Sequence, residues 1–246
     1  MVAGALYLIT FLTSIPTLVL YAPVRDHAEF VLGAGSTAGV TWGALLEVAL
    51  AVACVGTAVA LFPVAKRLSE SAALGFLAAR VVEASLILVG VISLLAVLTL
   101  RDQVASTASA DPRALMTAAR ALVGVYDGTF LLGQSLMPVA SALCLGSVLY
   151  RSRLIPRIIP AVGLVGAPLL LASDIAILSG LYEQGTALAG LAALPIAGWE
   201  LALGLWLVLK GFRPSAASRL TGDTRVDDGL RPSTLTAVAP PHPAKA

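Results

Sequence analysis

The apolar and polar positions along the chain divide residues 1–212 into long apolar segments joined by shorter polar ones. A helix of about 20 residues crosses a hydrocarbon core of about 30 Å, and backbone groups in lipid must be paired within the helix. The alternating pattern of a membrane-spanning β-barrel is absent from these segments. The pattern therefore predicts an all-α, six-helix transmembrane bundle. The predicted spans are Val2–Tyr21, Val40–Phe62, Ala72–Leu100, Gly128–Tyr150, Ile158–Tyr182 and Thr186–Leu209.

The third span, Ala72–Leu100, is the longest of the six, and it contains two charged residues. Arg80 and Glu83 are three positions apart, so their side chains project from the same face of a helix. Each charge near the middle of a membrane costs about 2.5–3.5 kcal/mol on insertion scales. We therefore expect the other spans to pack around this helix and to supply partners for its charges.

Two boundaries depend on proline. Pro63 is expected to end the second span. Asp111 followed by Pro112 is typical of a helix start. The segment Ala114–Val125 that follows is then either a surface helix or an extension of the fourth span.

Composition agrees with this pattern. The chain is 58% hydrophobic and 12% charged, with a mean hydropathy of +0.92. Soluble domains are about 45–50% apolar and about 25% charged. We therefore expect a multi-pass membrane protein, surrounded by lipid bilayer. The net charge of +2 gives no reason to expect a nucleic-acid partner, because the basic residues lie at the ends of the spans.

The basic residues also predict an orientation, because cytoplasmic loops carry an excess of Lys and Arg. Both termini are then cytoplasmic, and we call that end of the bundle the inner end. Residues 1–212 form the predicted transmembrane domain, and residues 213–246, rich in Pro, Ser and Thr, are predicted to be a disordered cytoplasmic tail. The inner basic residues are Lys66, Arg67, Arg151, Arg153, Arg157, Lys210, Arg213 and Arg219.

Counting residues from the inner ends of the spans predicts two layers of polar side chains. Glu47, Gln134 and Asp174 are each 16 residues from an inner end, which places them about 24 Å above it. The second layer lies lower, about 12–16 Å above the inner end. It contains Arg80, Glu83 and Glu200.

The lower layer predicts a buried ion-pair cluster. An Arg guanidinium stays charged in proteins, so Arg80 needs counterions, and Glu83 and Glu200 are the carboxylates at its level. With both carboxylates ionised the cluster has a net charge of −1, and it is neutral when one is protonated. Such a cluster either fixes the register of the helices or couples to function, and the sequence leaves both interpretations open.

The upper layer predicts candidate residues for binding a ligand or an ion. Glu47 and Asp174 have no evident cation at their level, and unpaired carboxylates in a membrane favour a functional interpretation. They are expected to face a water-filled cavity, share protons or bind a cation. Gln134 is the third candidate, although a hydrogen bond between helices is the more favoured interpretation for it.

Several other kinds of site are disfavoured. His27 and His242 lie outside the predicted spans, and Cys54 and Cys144 lie inside spans without a CxxC motif. These positions argue against haem and metal sites, so we expect no cofactor and no metal. The sequence has no phosphate-binding loop and no arrangement of nucleophile and base, so no catalytic residue is assigned.

Residues around the third span resemble a known family. The chain is similar to the bacterial membrane proteins grouped as domain of unknown function 4386, over about residues 1–212. The resemblance implies an integral protein of the bacterial cytoplasmic membrane with several helices and no assigned activity. It is carried by Ala3-Gly4, Tyr7-Leu8-Ile9, Gly56-Thr57-Ala58, Leu61-Phe62-Pro63-Val64, Lys66-Arg67, Ala73-Leu74-Gly75-Phe76 and Ala79-Arg80-Val81-Val82-Glu83.

Three functional hypotheses follow. The leading one is transport of a small molecule or ion, coupled to protons, through an outward-open polar site at Glu47 and Asp174 with the Arg80 cluster beneath it. The second is an intramembrane enzyme that acts on a lipid or isoprenoid, with carboxylates as general acid and base. It is less favoured, because the chain lacks a diphosphate-binding Asp cluster. The third is a non-catalytic accessory or sensory subunit.

Overall fold

The computed structural model describes residues 1–106 and 111–213, and the predicted six-helix bundle is confirmed. Except for Arg213, the predicted disordered tail lies outside the described residues. A short helix, α2 (Ala22–Asp26), and a 3₁₀ segment, Ala28–Leu32, lie between the first two spans. The six helices long and apolar enough to cross a membrane are α1 (Val2–Leu20), α3 (Ala38–Leu68), α4 (Glu70–Ser106), α5 (Pro112–Ser152), α6 (Ile158–Leu178) and α7 (Ala187–Leu209).

The six spans form a closed ring in chain order. Each span packs against the next one, and α7 packs against α1 to complete the ring. The contact between α1 and α7 is close at the inner end, where a Cβ atom on Gly4 would lie 2.7 Å from the carbonyl oxygen of Gly204. The start of the first span and the end of the last span therefore lie at the same end of the bundle.

The helix α3 continues through Pro63 to Leu68, so the prediction that Pro63 ends the second span was wrong. Proline is tolerated inside membrane helices because neighbouring helices and local adjustments of the backbone compensate for its missing N–H. A single residue, Ser69, separates α3 from α4, and its N–H donates to the carbonyl of Ala65 at 2.9 Å.

The helix α5 resolves the two interpretations of segment 114–125, which is an extension of the fourth span. The side chain of Asp111 caps the helix by accepting a hydrogen bond from the N–H of Arg113 at 2.9 Å. Two parts of α5 have π-helical hydrogen bonding, Phe130–Leu136 and Ala142–Gly146, and Pro138 lies between them. Such π segments occur often at functional sites, and the first of them faces the interior of the ring.

The packing of α6 against α7 depends on a glycine. A Cβ atom on Gly163 would lie 2.5 Å from Cδ2 and 2.6 Å from Cγ of Trp199. The indole of Trp199 is fully buried, so it has little space in which to move away. This contact fixes the part of α7 that carries Glu200.

We therefore expect Gly163→Ala to lower the free energy of unfolding by about 1–3 kcal/mol, the usual cost of overpacking a core. Thermal unfolding of the detergent-solubilised protein measures the effect. Gly198→Ala is the matched control, since a Cβ atom there meets no described atom within 4 Å. Equal melting temperatures for the two variants would contradict the prediction.

Candidate functional site

Three charged side chains from α4 and α7 meet inside the ring. The Nη1 atom of Arg80 lies 3.2 Å and 3.0 Å from the two carboxylate oxygens of Glu83, and its Nη2 atom contacts a carboxylate oxygen of Glu200. The side chain of Arg80 is only 1% exposed. The structure thus brings together all three residues of the predicted lower layer, as one buried cluster that we call the Arg80 cluster.

Aromatic rings and a thiol complete the surroundings of the guanidinium. The ring of Tyr7 lies 5.1 Å from Arg80 Cζ and the ring of Phe76 lies 5.8 Å from it, both within cation–π range. The thiol of Cys54 lies 3.6 Å from a carboxylate oxygen of Glu83. Neither Tyr7 nor Cys54 is predicted from the sequence to join the cluster, because each is a single position within an apolar span.

A cavity of about 230 Å³ adjoins the Arg80 cluster, and residues from all six spans line it. Two lining residues on α1, Ile15 and Leu18, are 59% and 53% exposed, so this side of the cavity is not sealed. The polar lining includes Arg80, Glu83, Glu200, Gln134, Ser135 and Thr10.

The predicted upper layer consists of two separate groups. The first is centred on Glu47, which is fully buried. Its carboxylate accepts hydrogen bonds from the Tyr126 hydroxyl at 2.9 Å, the Gln134 amide at 3.3 Å and the Tyr21 hydroxyl at 3.4 Å. Glu47 and Gln134 therefore lie together, and two tyrosines that the sequence did not indicate join them.

The second group is centred on Asp174, also buried. The hydroxyl of Ser135 donates to Asp174 Oδ1 at 2.6 Å, and Oδ2 has no hydrogen-bond partner within the described part of the chain. Gln134 and Ser135 are neighbours on α5. Each of them therefore links one upper-layer carboxylate to the cavity that both residues line.

The position of the cavity differs from the predicted site. Neither Glu47 nor Asp174 is among the residues that line the cavity, whereas all three residues of the Arg80 cluster are. Counting residues gives the height of a side chain along its helix, but it does not give the rotation of that helix about its axis. Glu47 and Asp174 consequently contact the cavity residues Gln134 and Ser135 from the side that faces away from the cavity.

At the outer end of the bundle, the guanidinium of Arg25 lies near the Glu47 group. Arg25 pairs with Asp127 at 2.9 Å, and its guanidinium lies 5.5 Å from the centre of the Tyr126 ring. Arg101 donates four hydrogen bonds of 2.7–2.9 Å to backbone carbonyls of residues 30–35. These contacts hold the outer loop against α4 and α5 above the Glu47 group.

Metal coordination does not emerge from this geometry: residues 1–106 and 111–213 contain no group of three His, Cys, Asp or Glu side chains that can hold a metal ion. The side chains at the cavity can form ion pairs and hydrogen bonds with a ligand. Carboxylates, an amide and hydroxyls face a small interior space with otherwise apolar walls.

Six apolar helices around a partly charged cavity define a multi-pass helical membrane protein with an internal polar site. The chain belongs to the family described as Domain of unknown function (DUF4386), whose model matches residues 2–211. The family suggested by the resemblance is thereby confirmed. No curated protein and no solved structure matches the chain significantly.

Proposed function

We propose that the protein transports a small molecule across the bacterial cytoplasmic membrane in exchange or symport with protons, and that the central cavity holds the substrate. The observation that carries the proposal is the position of the Arg80 cluster, at the wall of a cavity lined by all six spans. Substrate and ion sites of transporters generally lie near the middle of the membrane between packed helices.

The exposures within the cluster support a role beyond fixing helix register. The side chain of Arg80 is 1% exposed and that of Glu83 is 6% exposed, whereas that of Glu200 is 12% exposed. An ion pair that serves only packing gains nothing from an adjoining space. Glu200 is the member of the cluster that a molecule in the cavity reaches most easily.

Proton coupling follows from the charges of the cluster. Arg80 with two ionised carboxylates has a net charge of −1, and uptake of one proton neutralises it. The other titratable groups that touch Arg80 or Glu83 are Tyr7 on α1 and Cys54 on α3. Binding of a substrate that changes the charge in the cavity therefore changes the affinity of the carboxylates for a proton.

The upper-layer candidates keep a role in this proposal. Gln134 faces the cavity and contacts the substrate, while Glu47 holds the amide of Gln134 in position. Asp174 holds the hydroxyl of Ser135 in the same way. Glu47 and Asp174 thus act as positioning residues next to the binding cavity.

We expect Glu200→Gln to abolish substrate-driven proton movement. The test uses proteoliposomes loaded with a pH-sensitive dye and a panel of compact neutral, anionic and cationic organic compounds. At least one compound should change the internal pH faster with the natural protein than with Glu200→Gln. Protein-free liposomes give the passive rate for each compound.

The matched control is Glu70→Gln on α4. Glu70 is an exposed carboxylate, paired with Lys66 at 3.1 Å on the bundle surface. This variant should transport at the rate of the natural protein. The proposal fails if every compound in the panel moves protons at the passive rate, or if the Glu200→Gln variant retains full activity.

A further inference from the structure

Three polar side chains on the cavity wall donate hydrogen bonds to other groups of the protein. Thr10 donates to the carbonyl of Tyr7 at 2.7 Å, Ser135 donates to Asp174 at 2.6 Å, and the amide of Gln134 donates to Glu47 at 3.3 Å. Besides the second amide N–H of Gln134, what these side chains still offer a ligand is oxygen lone pairs. A hydroxyl whose proton is engaged still accepts hydrogen bonds, and so does the Gln134 carbonyl oxygen.

The charge that a ligand meets in the cavity is negative. Arg80 is nearly inaccessible, its Nη atoms contact Glu83 and Glu200, and its Nε atom is buried. One carboxylate oxygen of Glu200 contacts Arg80, and the other accepts no hydrogen bond from a described residue. Glu200 therefore presents the cavity with an acceptor that carries charge.

The rest of the wall is apolar. Side chains from α1, α3, α5, α6 and α7 contribute hydrocarbon or aromatic surface to it, and the cavity volume of about 230 Å³ limits the size of what it can hold. A ligand therefore needs a small apolar body as well as a polar group. The apolar wall includes Phe11, Ile15, Leu50, Phe130, Leu170 and Ile196.

We propose that the cavity binds a compact organic cation, an ammonium group on an apolar body. The proposal rests on the proposed function only in placing the ligand in the same cavity. The ammonium donates to Glu200, the Gln134 carbonyl and the Ser135 hydroxyl, which between them match its three N–H donors. The body of the ligand lies against the apolar wall.

Other ligand classes fit these walls poorly. A carboxylate or phosphate needs hydrogen-bond donors, and the hydroxyls of Thr10 and Ser135 and one N–H of Gln134 are engaged with the protein. An anion is also repelled by Glu200. A neutral alcohol offers one donor where the cavity presents several acceptors, and leaving a buried acceptor unpaired costs about 1–3 kcal/mol.

Binding can be tested by thermal unfolding of the full chain in detergent, because a ligand that binds the folded state raises its melting temperature. The probes share one ring: cyclohexylamine, cyclohexanol and cyclohexanecarboxylate, with n-butylamine as a smaller cation. Both amines are protonated at neutral pH. We expect at least one amine to raise the melting temperature saturably, and the alcohol and the carboxylate to leave it unchanged.

Variants assign the effect to the cavity, each measured against its own melting temperature without ligand. Glu200→Gln should weaken binding of the amine at least about tenfold, because it removes a hydrogen bond to a charged group. Ala197→Phe should also weaken it, since Ala197 lines the cavity and a larger side chain fills the space. Glu70→Gln should bind the amine as the natural protein does.

The outcomes separate this inference from the proposed function. If neither amine shifts the melting temperature, or if the alcohol or carboxylate shifts it equally, the inference is overturned. It is also overturned if Ala197→Phe and Glu200→Gln both retain the full shift. Saturable binding of an amine without any proton flux supports the inference and contradicts transport. Proton flux driven only by neutral or anionic compounds supports transport and contradicts the inference.

Discussion

Arg80→Ala is expected to lower the free energy of unfolding by about 3–5 kcal/mol, the usual cost of removing one partner from a buried ion pair. The reason is that Glu83 and Glu200 would remain in the bundle without their shared cation. The side chain of Glu83 is 6% exposed and that of Glu200 is 12% exposed, so both carboxylates are largely buried. Thermal or SDS-driven unfolding of the detergent-solubilised protein measures this loss.

Arg67→Ala is the control, because Arg67 is an exposed arginine at the inner end and should change stability little. A double variant sharpens the test. Arg80→Ala combined with Glu83→Gln removes one of the two stranded charges, so it should be more stable than the sum of the single variants implies. Unfolding of Arg80→Ala under the same conditions as Arg67→Ala would contradict the prediction.

Much of this architecture follows from the sequence, because the cost of charges in lipid is large and local. Six long apolar segments have one stable arrangement in a bilayer, as helices, and the helices are found. Arg80 needed counterions at its own height, and only a few carboxylates lie inside the spans. Counting residues along the spans therefore predicted that Arg80 pairs with Glu83 and with Glu200, although Glu200 is 120 positions away along the chain.

The contacts of Glu47 and Asp174 could not be predicted from the sequence, because they depend on tertiary packing. Tyr21 lies at the end of α1 and Tyr126 lies inside α5, 26 and 79 positions from Glu47 along the chain. Tyr126 reaches Glu47 only because α5 extends outward beyond the span predicted for it. Whether a side chain lines the cavity or lies behind its wall depends on the rotation of its helix about the helix axis. That rotation cannot be predicted from spans that are apolar on all sides, because no polar face marks the side that points inward.

The Glu47 group gives a second large prediction. We expect Glu47→Leu to lower the free energy of unfolding by about 3 kcal/mol or more. Its carboxylate accepts from Tyr21, Tyr126 and Gln134, and a buried donor left without an acceptor costs about 1–3 kcal/mol. Adding Tyr126→Phe to Glu47→Leu should recover part of the loss, since it removes one of the orphaned donors. Strictly additive effects would show that this hydrogen bond does not stabilise the fold.

Glu47→Gln separates the structural role of this residue from a role in proton movement. The amide keeps a carbonyl oxygen that accepts from Tyr126 and Gln134, and its N–H donates to the Tyr21 hydroxyl oxygen. Only the Tyr21 hydroxyl proton loses its acceptor, so the folded state should lose about 1 kcal/mol, less than in Glu47→Leu. An amide cannot carry the proton that a carboxylate takes up. Normal stability with normal proton flux in proteoliposomes therefore assigns Glu47 to positioning Gln134. Normal stability with no flux instead makes Glu47 a proton carrier and contradicts the positioning role.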